Sequence, residues 1–164
     1  MLTELLNALQ VSMLGDAVRS LGGWGYAVIN FFHLLGAAIL FGAILLLDLR
    51  LLGWRRHIPL DFVSSFSVPL AISGFLLAIV MGICLLATNA SDYVGNPFLV
   101  IKFSALLLAL VNACWASQLP AWKYRKNQQT LELERQDKFL VIAAFLSLLC
   151  WLTVIAVGRF IAYW

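Results

Sequence analysis

The stretch Trp24–Leu47, WGYAVINFFHLLGAAILFGAILLL, runs for 24 residues without a charged side chain. At about 1.5 Å per residue a helix of that length reaches roughly 36 Å, enough to cross a hydrocarbon layer about 30 Å thick. Three further stretches meet the same requirement, near Pro69–Thr88, Pro97–Gln118 and Lys138–Ala162. The sequence therefore predicts an all-α integral membrane four-helix bundle.

The composition agrees. Hydrophobic residues make up 63% of the 164 and the mean hydropathy is +0.95, against an apolar share of about 45–50% in soluble domains. Charged residues are only 12% and cluster between the apolar stretches, so little chain is left for a separate soluble domain. A single transmembrane domain over residues 1–164 is expected.

Charge placement orients the chain. Arg50, Arg55 and Arg56 lie in or beside the first loop, and Lys123, Arg125, Lys126, Arg135 and Lys138 in or beside the third. The second loop, Asn89–Asn96, holds only Asp92. The positive-inside rule then puts loops one and three in the cytoplasm and both termini outside. Trp24, Tyr26, Tyr93, Tyr163 and Trp164 would form the outer aromatic belt, with Trp54, Trp122 and Tyr124 as the inner one. A net charge of +3 spent on loops gives no reason to expect nucleic acid as a partner. The first twenty residues carry Glu4 and Asp16 ahead of Arg19, which does not fit the basic start of a cleavable signal peptide.

Ahead of the first span, Leu2, Leu5, Leu6 and Leu9 recur at helical spacing. They predict an amphipathic helix near residues 2–14 lying on the outer membrane surface. Pro59 and Pro69 bracket Leu60–Val68, read as a short separate helix, with Pro69 in the first turn of span two, where its missing N–H is harmless. Cys84, Cys114 and Cys150 sit inside apolar stretches at no metal-site spacing and read as small buried packing residues.

In lipid, helices associate largely through small residues that let backbones approach. Gly74, Ala78 and Gly82 on span two, Ala105, Ala109 and Ala113 on span three, and Ala38 and Gly42 on span one are candidates for such seams. Polar groups at membrane depth are more informative, because each costs about 2–3 kcal/mol or more unless it finds a partner. At 100° per residue, Asn30, His33, Ala37, Leu40 and Asp48 share one side of span one. Lys102, Ala105, Ala109, Asn112 and Ala113 share a face of span three, and Arg159 lies with Leu152, Ala156 and Tyr163 on span four. These faces are expected to turn inward together. His33 lies roughly 14 Å below the outer surface, and Met81 and Cys84 reach a similar depth from the other direction.

Several readings stay open for these residues. His33 is either an interhelical hydrogen bonder, a ligand for haem or metal, or a proton carrier. Lys102 and Arg159 either snorkel to the headgroups or clamp an anionic group, with porphyrin propionates, a quinone headgroup or anionic lipid as candidates. Asp48 and Arg50 form an anchor or a local ion pair at the end of span one. Met81 is either packing filler or a thioether ligand, and His57 is a solvated loop residue. The chain has no nucleophile elbow, no Walker loop, no HExxH, no CxxC and no CxxCH, which leaves hydrolytic, nucleotide-driven and zinc-finger chemistry without support.

The strings His33-Leu34-Leu35-Gly36, Asp48-Leu49-Arg50-Leu51-Leu52-Gly53, Asn96-Pro97-Phe98 with Lys102, and Gly158-Arg159-Phe160-Ile161-Ala162-Tyr163 resemble a bacterial family of small four-helix membrane proteins carried as a domain of unknown function. A weaker similarity runs to the haem-containing protoporphyrinogen oxidase and copper-resistance D membrane families. That similarity maps their first-span His, following Arg and later Lys onto His33, Arg50 and Lys102. It implies haem b at His33, with Met81, water or a second copy of the chain as the other axial ligand, since Cys114–Gln118 lacks the further His of those families.

The leading expectation is thus a haem-b or quinone-linked redox protein of the bacterial inner membrane, with His33 as ligand and Lys102 and Arg159 as anion clamps. A non-catalytic helical subunit or assembly factor, docking into a larger membrane complex or a homo-oligomer, is the rival. A small transporter or channel using Asp48, Lys102 and Arg159 is the third reading.

Overall fold

The computed structural model describes residues 2–125 and 138–163, which hold helices and no strand. In chain order these are α1 (Leu2–Gln10), α2 (Met13–Ser20), α3 (Gly22–Leu51), α4 (Leu60–Thr88), a 3-10 turn (Ala90–Tyr93), α5 (Pro97–Gln118), α6 (Pro120–Lys123), α7 (Lys138–Phe160) and a closing 3-10 turn (Ile161–Tyr163). Lys126, Arg135 and Trp164, used above for orientation, lie outside the described residues, as does the side chain of Leu2.

Helices α3, α4, α5 and α7 are the four of membrane-spanning length, with mean hydropathies of 2.2, 2.6, 2.0 and 2.7. They leave large apolar side chains uncovered on several sides. Phe31, Leu34, Leu107 and Leu108 are each about 60% exposed, and an apolar surface that extensive is stable only against lipid. This is a multi-pass membrane protein.

Two of the long helices exceed the expected spans. α3 and α4 have 30 and 29 residues, or roughly 45 Å each, so both reach past a hydrocarbon layer. Leu60–Val68 is not a separate helix, because α4 runs unbroken from Leu60 with Pro69 in its interior. Leu60, Val63, Ser64 and Ser67 are all buried, and only a continuous helix keeps that face aligned. The cost of one missing N–H is tolerated in transmembrane helices, where local adjustment compensates it. The expected surface helix near residues 2–14 is instead two helices, divided where the Ser12 hydroxyl accepts from Gly15 N at 3.3 Å and caps α2.

The chain forms two compact units, Met1–Phe41 with Leu70–Asn96 and Gly42–Pro69 with Pro97–Trp164. In the first, α3 and α4 meet at Gly36 and Gly74. A Cβ on Gly36 would lie 2.6 Å from Ala78 N, and one on Gly74 would lie 2.6 Å from Leu40 N, so these glycines permit backbone contact. The seam on α3 is therefore Gly36 and Leu40. Ala38 and Gly42 are exposed, and Gly42 has nothing within 4 Å of where its Cβ would be. They fall on the wrong side of the helix for this seam.

The same unit holds the N-terminal helices down. Leu6 and Val18 are 5% exposed, and the Gln10 side-chain oxygen accepts hydrogen bonds from the Ser91 N–H, at 2.7 Å, and from the Ser91 hydroxyl. Arg19 pairs with Asp16 and donates to the carbonyls of Ala87 and Thr88 at 3.4 and 3.1 Å. A guanidinium at the C-terminal carbonyls of α4 meets the negative end of that helix.

In the second unit, Leu60, Ala121 and Leu140 form a buried cluster to which Leu47, Leu51 and Trp122 are packed. Ala105 and Ala109 on α5, and Ala143 and Ala144 on α7, are buried as the small-residue seam requires. Asn112 Nδ2 donates to the Ala143 carbonyl at 2.9 Å. Ala113 and Cys114 are exposed instead, being one and two residues past Asn112 and so rotated off its face.

The inner side of α7 also differs from the expected one. Leu152, Ala156 and Arg159 are exposed, whereas Leu140, Ala144 and Trp151 are buried on the helix side that also carries Ser147. The small and hydroxyl residues mark the inner side of α7; Arg159 stands about 100° away from the Gly158 line.

Candidate functional site

His33 sits in the first half of α3 and is half-buried. Its Nδ1 lies 2.8 Å from the carbonyl oxygen of Ala78 on α4. A carbonyl only accepts, so Nδ1 is the protonated nitrogen, and in the neutral ring the lone pair is on Nε2. Gly82, one turn along α4, makes room for the ring. A Cβ there would stand 3.0 Å from His33 Cε1 and 3.2 Å from Nδ1. Met81 and Cys84, both half-buried, flank Gly82 and are therefore at the depth of His33, as the sequence suggested.

At the Thr88 end of the same unit is a cleft of about 340 Å³ whose walls include Arg19, Tyr26, Leu85, Thr88, Asn89 and Tyr93. Tyr26 lies seven residues before His33, and Leu85 seven after Ala78, so the cleft continues the helix sides that carry the histidine contact. Burial, reinforced by Tyr26 and Asp92, raises the Tyr93 phenol above its usual pKa and keeps it a neutral donor. The sequence reading placed both tyrosines in the outer belt and did not foresee that, with Arg19, they border one cleft. The tertiary turn Ala90–Tyr93 creates that juxtaposition, and no local pattern encodes it.

Lys102 and Arg159 belong to the second unit. Lys102 is half-buried and runs beside Gly158, where a Cβ would come within 3.5 Å of its Nζ. Arg159 is exposed, donates to the Tyr163 hydroxyl at 2.7 Å and stands 5.0 Å from that ring's centre. Arg50 is 5% exposed, and its Nε donates to the Ile58 carbonyl at 2.6 Å, tying down the loop after α3. His57 in that loop is exposed.

Asp48 is the other notable group. It is 4% exposed, takes a hydrogen bond from the Ser147 side chain, and leaves its second carboxylate oxygen, Oδ2, buried without a hydrogen-bond partner. Ser67, 1% exposed, likewise has an unpartnered buried hydroxyl. Sequence reasoning named Asp48 but missed both serines, since single hydroxyls in an apolar helix carry no periodic signal. Among the described residues no group of three or more His, Cys, Asp or Glu is placed to hold a metal ion.

No curated protein and no solved structure matches the chain, so the likeness to the oxidase and copper-resistance families rests on the motifs alone. A family model does match, over residues 5–164, which is nearly the whole chain. The protein belongs to that family, DUF6644, described as a family of unknown function.

Proposed function

We propose that this membrane protein is a redox component of the bacterial inner membrane that binds haem b through His33 Nε2. The observation that carries the reading is the 2.8 Å contact between His33 Nδ1 and the Ala78 carbonyl. Metal-bound histidines commonly donate their other ring N–H to such an acceptor, which fixes the tautomer and strengthens the ligand nitrogen. Gly82 supports the reading by letting the ring seat closely against α4. Met81, one residue before Gly82, would be the intrachain candidate for a second ligand. The positive-inside rule supports a cytoplasmic side for the first and third loops.

The test is a visible spectrum of the full chain purified in detergent from haem-replete cells, beside His33→Ala. A Soret band lost in the variant is expected. Absence of the band, or a band indifferent to the substitution, sinks the proposal. A reproducible large partner with no cofactor in native mass measurements would replace it by the docking-subunit reading.

One observation favours a second reading. The cleft bordered by Arg19, Tyr26 and Tyr93 offers phenolic and cationic donors of the kind that hold a quinone carbonyl. Quinone co-purifying with the protein, lost in Tyr93→Phe and kept in His33→Ala, is the result that selects it over haem.

A further inference from the structure

The second unit carries a feature that His33 chemistry does not use. Three of its helices bring one oxygen group each to their inner sides: Asp48 from α3, Ser67 from α4 and Ser147 from α7. Ser67 follows Leu60 and Ser64 at i, i+4 and i+7, so it lies on the face that buries Leu60. Ser147 follows Leu140 by seven residues, on the buried side of α7, and its side chain hydrogen-bonds the carboxylate. The remaining carboxylate oxygen and the Ser67 hydroxyl are both buried and unpartnered.

Leaving such atoms unsatisfied is costly, and more so for a charge. Among the described residues no cation donates a hydrogen bond to either atom. Arg50 holds the Ile58 carbonyl, and Arg125 holds the Ser64 hydroxyl and the Trp122 carbonyl. The carboxylate and the Ser67 hydroxyl do not hydrogen-bond one another. An ion with metal–oxygen bonds of about 2–2.6 Å can join oxygens that are too far apart for a hydrogen bond. One carboxylate with neutral hydroxyls balances a single positive charge.

We infer that Asp48, with the hydroxyls of Ser147 and Ser67, is the binding site for a small monovalent hard cation of the sodium class. The site does not depend on the histidine, and its test is separate from any spectrum. The full chain, purified in detergent without sodium, is unfolded thermally while NaCl is titrated against choline chloride at equal ionic strength. Sodium raises the midpoint saturably where choline does not, as expected when a ligand binds only the folded state. Asp48→Asn abolishes the effect, and Ser67→Ala raises the half-saturating sodium concentration, which the same linkage reads directly. Saturable binding of radioactive sodium to the unmodified protein supplies a measurement that needs no variant. Coincident sodium and choline curves, no saturable binding, or a sodium effect that survives Asp48→Asn overturns the assignment. A band of protonated carboxylic acid in the infrared that is lost in Asp48→Asn and unchanged by sodium also overturns it, since a proton then occupies the group.

Discussion

Gly36 and Gly74 each face the other's carbonyl oxygen. A Cβ on the first would stand 2.9 Å from Gly74 O, and a Cβ on the second 2.8 Å from Gly36 O. Adding a methyl group to either forces α3 and α4 apart in the first unit. Overpacking of this kind costs about 1–3 kcal/mol. Gly36→Ala and Gly74→Ala should each lower stability by that amount in a reversible denaturation in mixed micelles. Gly42→Ala, where the added carbon meets nothing within 4 Å, is the control and should be neutral or slightly stabilising, since alanine favours helix. Equal behaviour of the three variants would remove the seam from the account.

The tautomer of His33 gives a prediction that needs no cofactor. With Nδ1 donating to Ala78 O, nitrogen-15 spectra of histidine-labelled protein should show a half-buried ring protonated at Nδ1. Gly82→Ala puts a methyl group 3.0 Å from Cε1, so the ring must turn and its hydrogen bond lengthen. The variant should show a shifted or mixed Nδ1 signal while remaining folded. A ring protonated at Nε2 in the unmodified protein would contradict the assignment and weaken His33 as a ligand.

Much of this arrangement was legible in the sequence because hydropathy and charge act locally. The start of α5 at Pro97 and the start of α7 at Lys138 follow from proline, loop charge and apolar length. The side of α3 carrying His33, Leu40 and Asp48 was legible from polar spacing, since an immersed polar group has strong reason to face protein. Three other features depended on tertiary contacts. Pro69 is inside α4 because a buried face outweighs one lost hydrogen bond. Arg159 is outside the α7 seam because its chain is long enough to find Tyr163 at the helix end. The cleft by Tyr93 exists only because α2 and the 3-10 turn meet the end of α4. Asp48 was visible as an unusual residue, but its serine neighbours were not.

Asn112 joins α5 to α7 through a single hydrogen bond to Ala143 O, and its Oδ1 is buried without a partner. The bond stabilises, whereas the unmatched oxygen works against it. Interhelical side-chain hydrogen bonds in membranes average about 0.6 kcal/mol. Asn112→Leu should therefore change stability by less than about 1 kcal/mol in the same micellar assay. A loss of several kilocalories would show that Oδ1 has an essential partner, such as a bound water, and that the group is more than helix glue.

Arg125 should be the least replaceable cation at the loop end of the second unit. Its Nε donates to Ser64 Oγ at 3.0 Å, a terminal nitrogen donates to the Trp122 carbonyl at 2.8 Å, and the guanidinium lies 4.4 Å from the Trp122 ring centre. Lysine can keep the charge but cannot supply a planar fork that bonds in two directions while stacking on indole. The residue is half-buried, so its hydrogen bonds are only partly weakened by water. Arg125→Ala should cost about 1–3 kcal/mol, the range for hydrogen bonds made by charged groups, and Arg125→Lys should recover less than half of it. Hydrogen exchange will localise the effect: amides of the first turns of α4 and of α6 should exchange faster in both variants, while those around Gly36 keep their wild-type rates. If lysine restores full protection, net charge rather than geometry anchors this end of the unit.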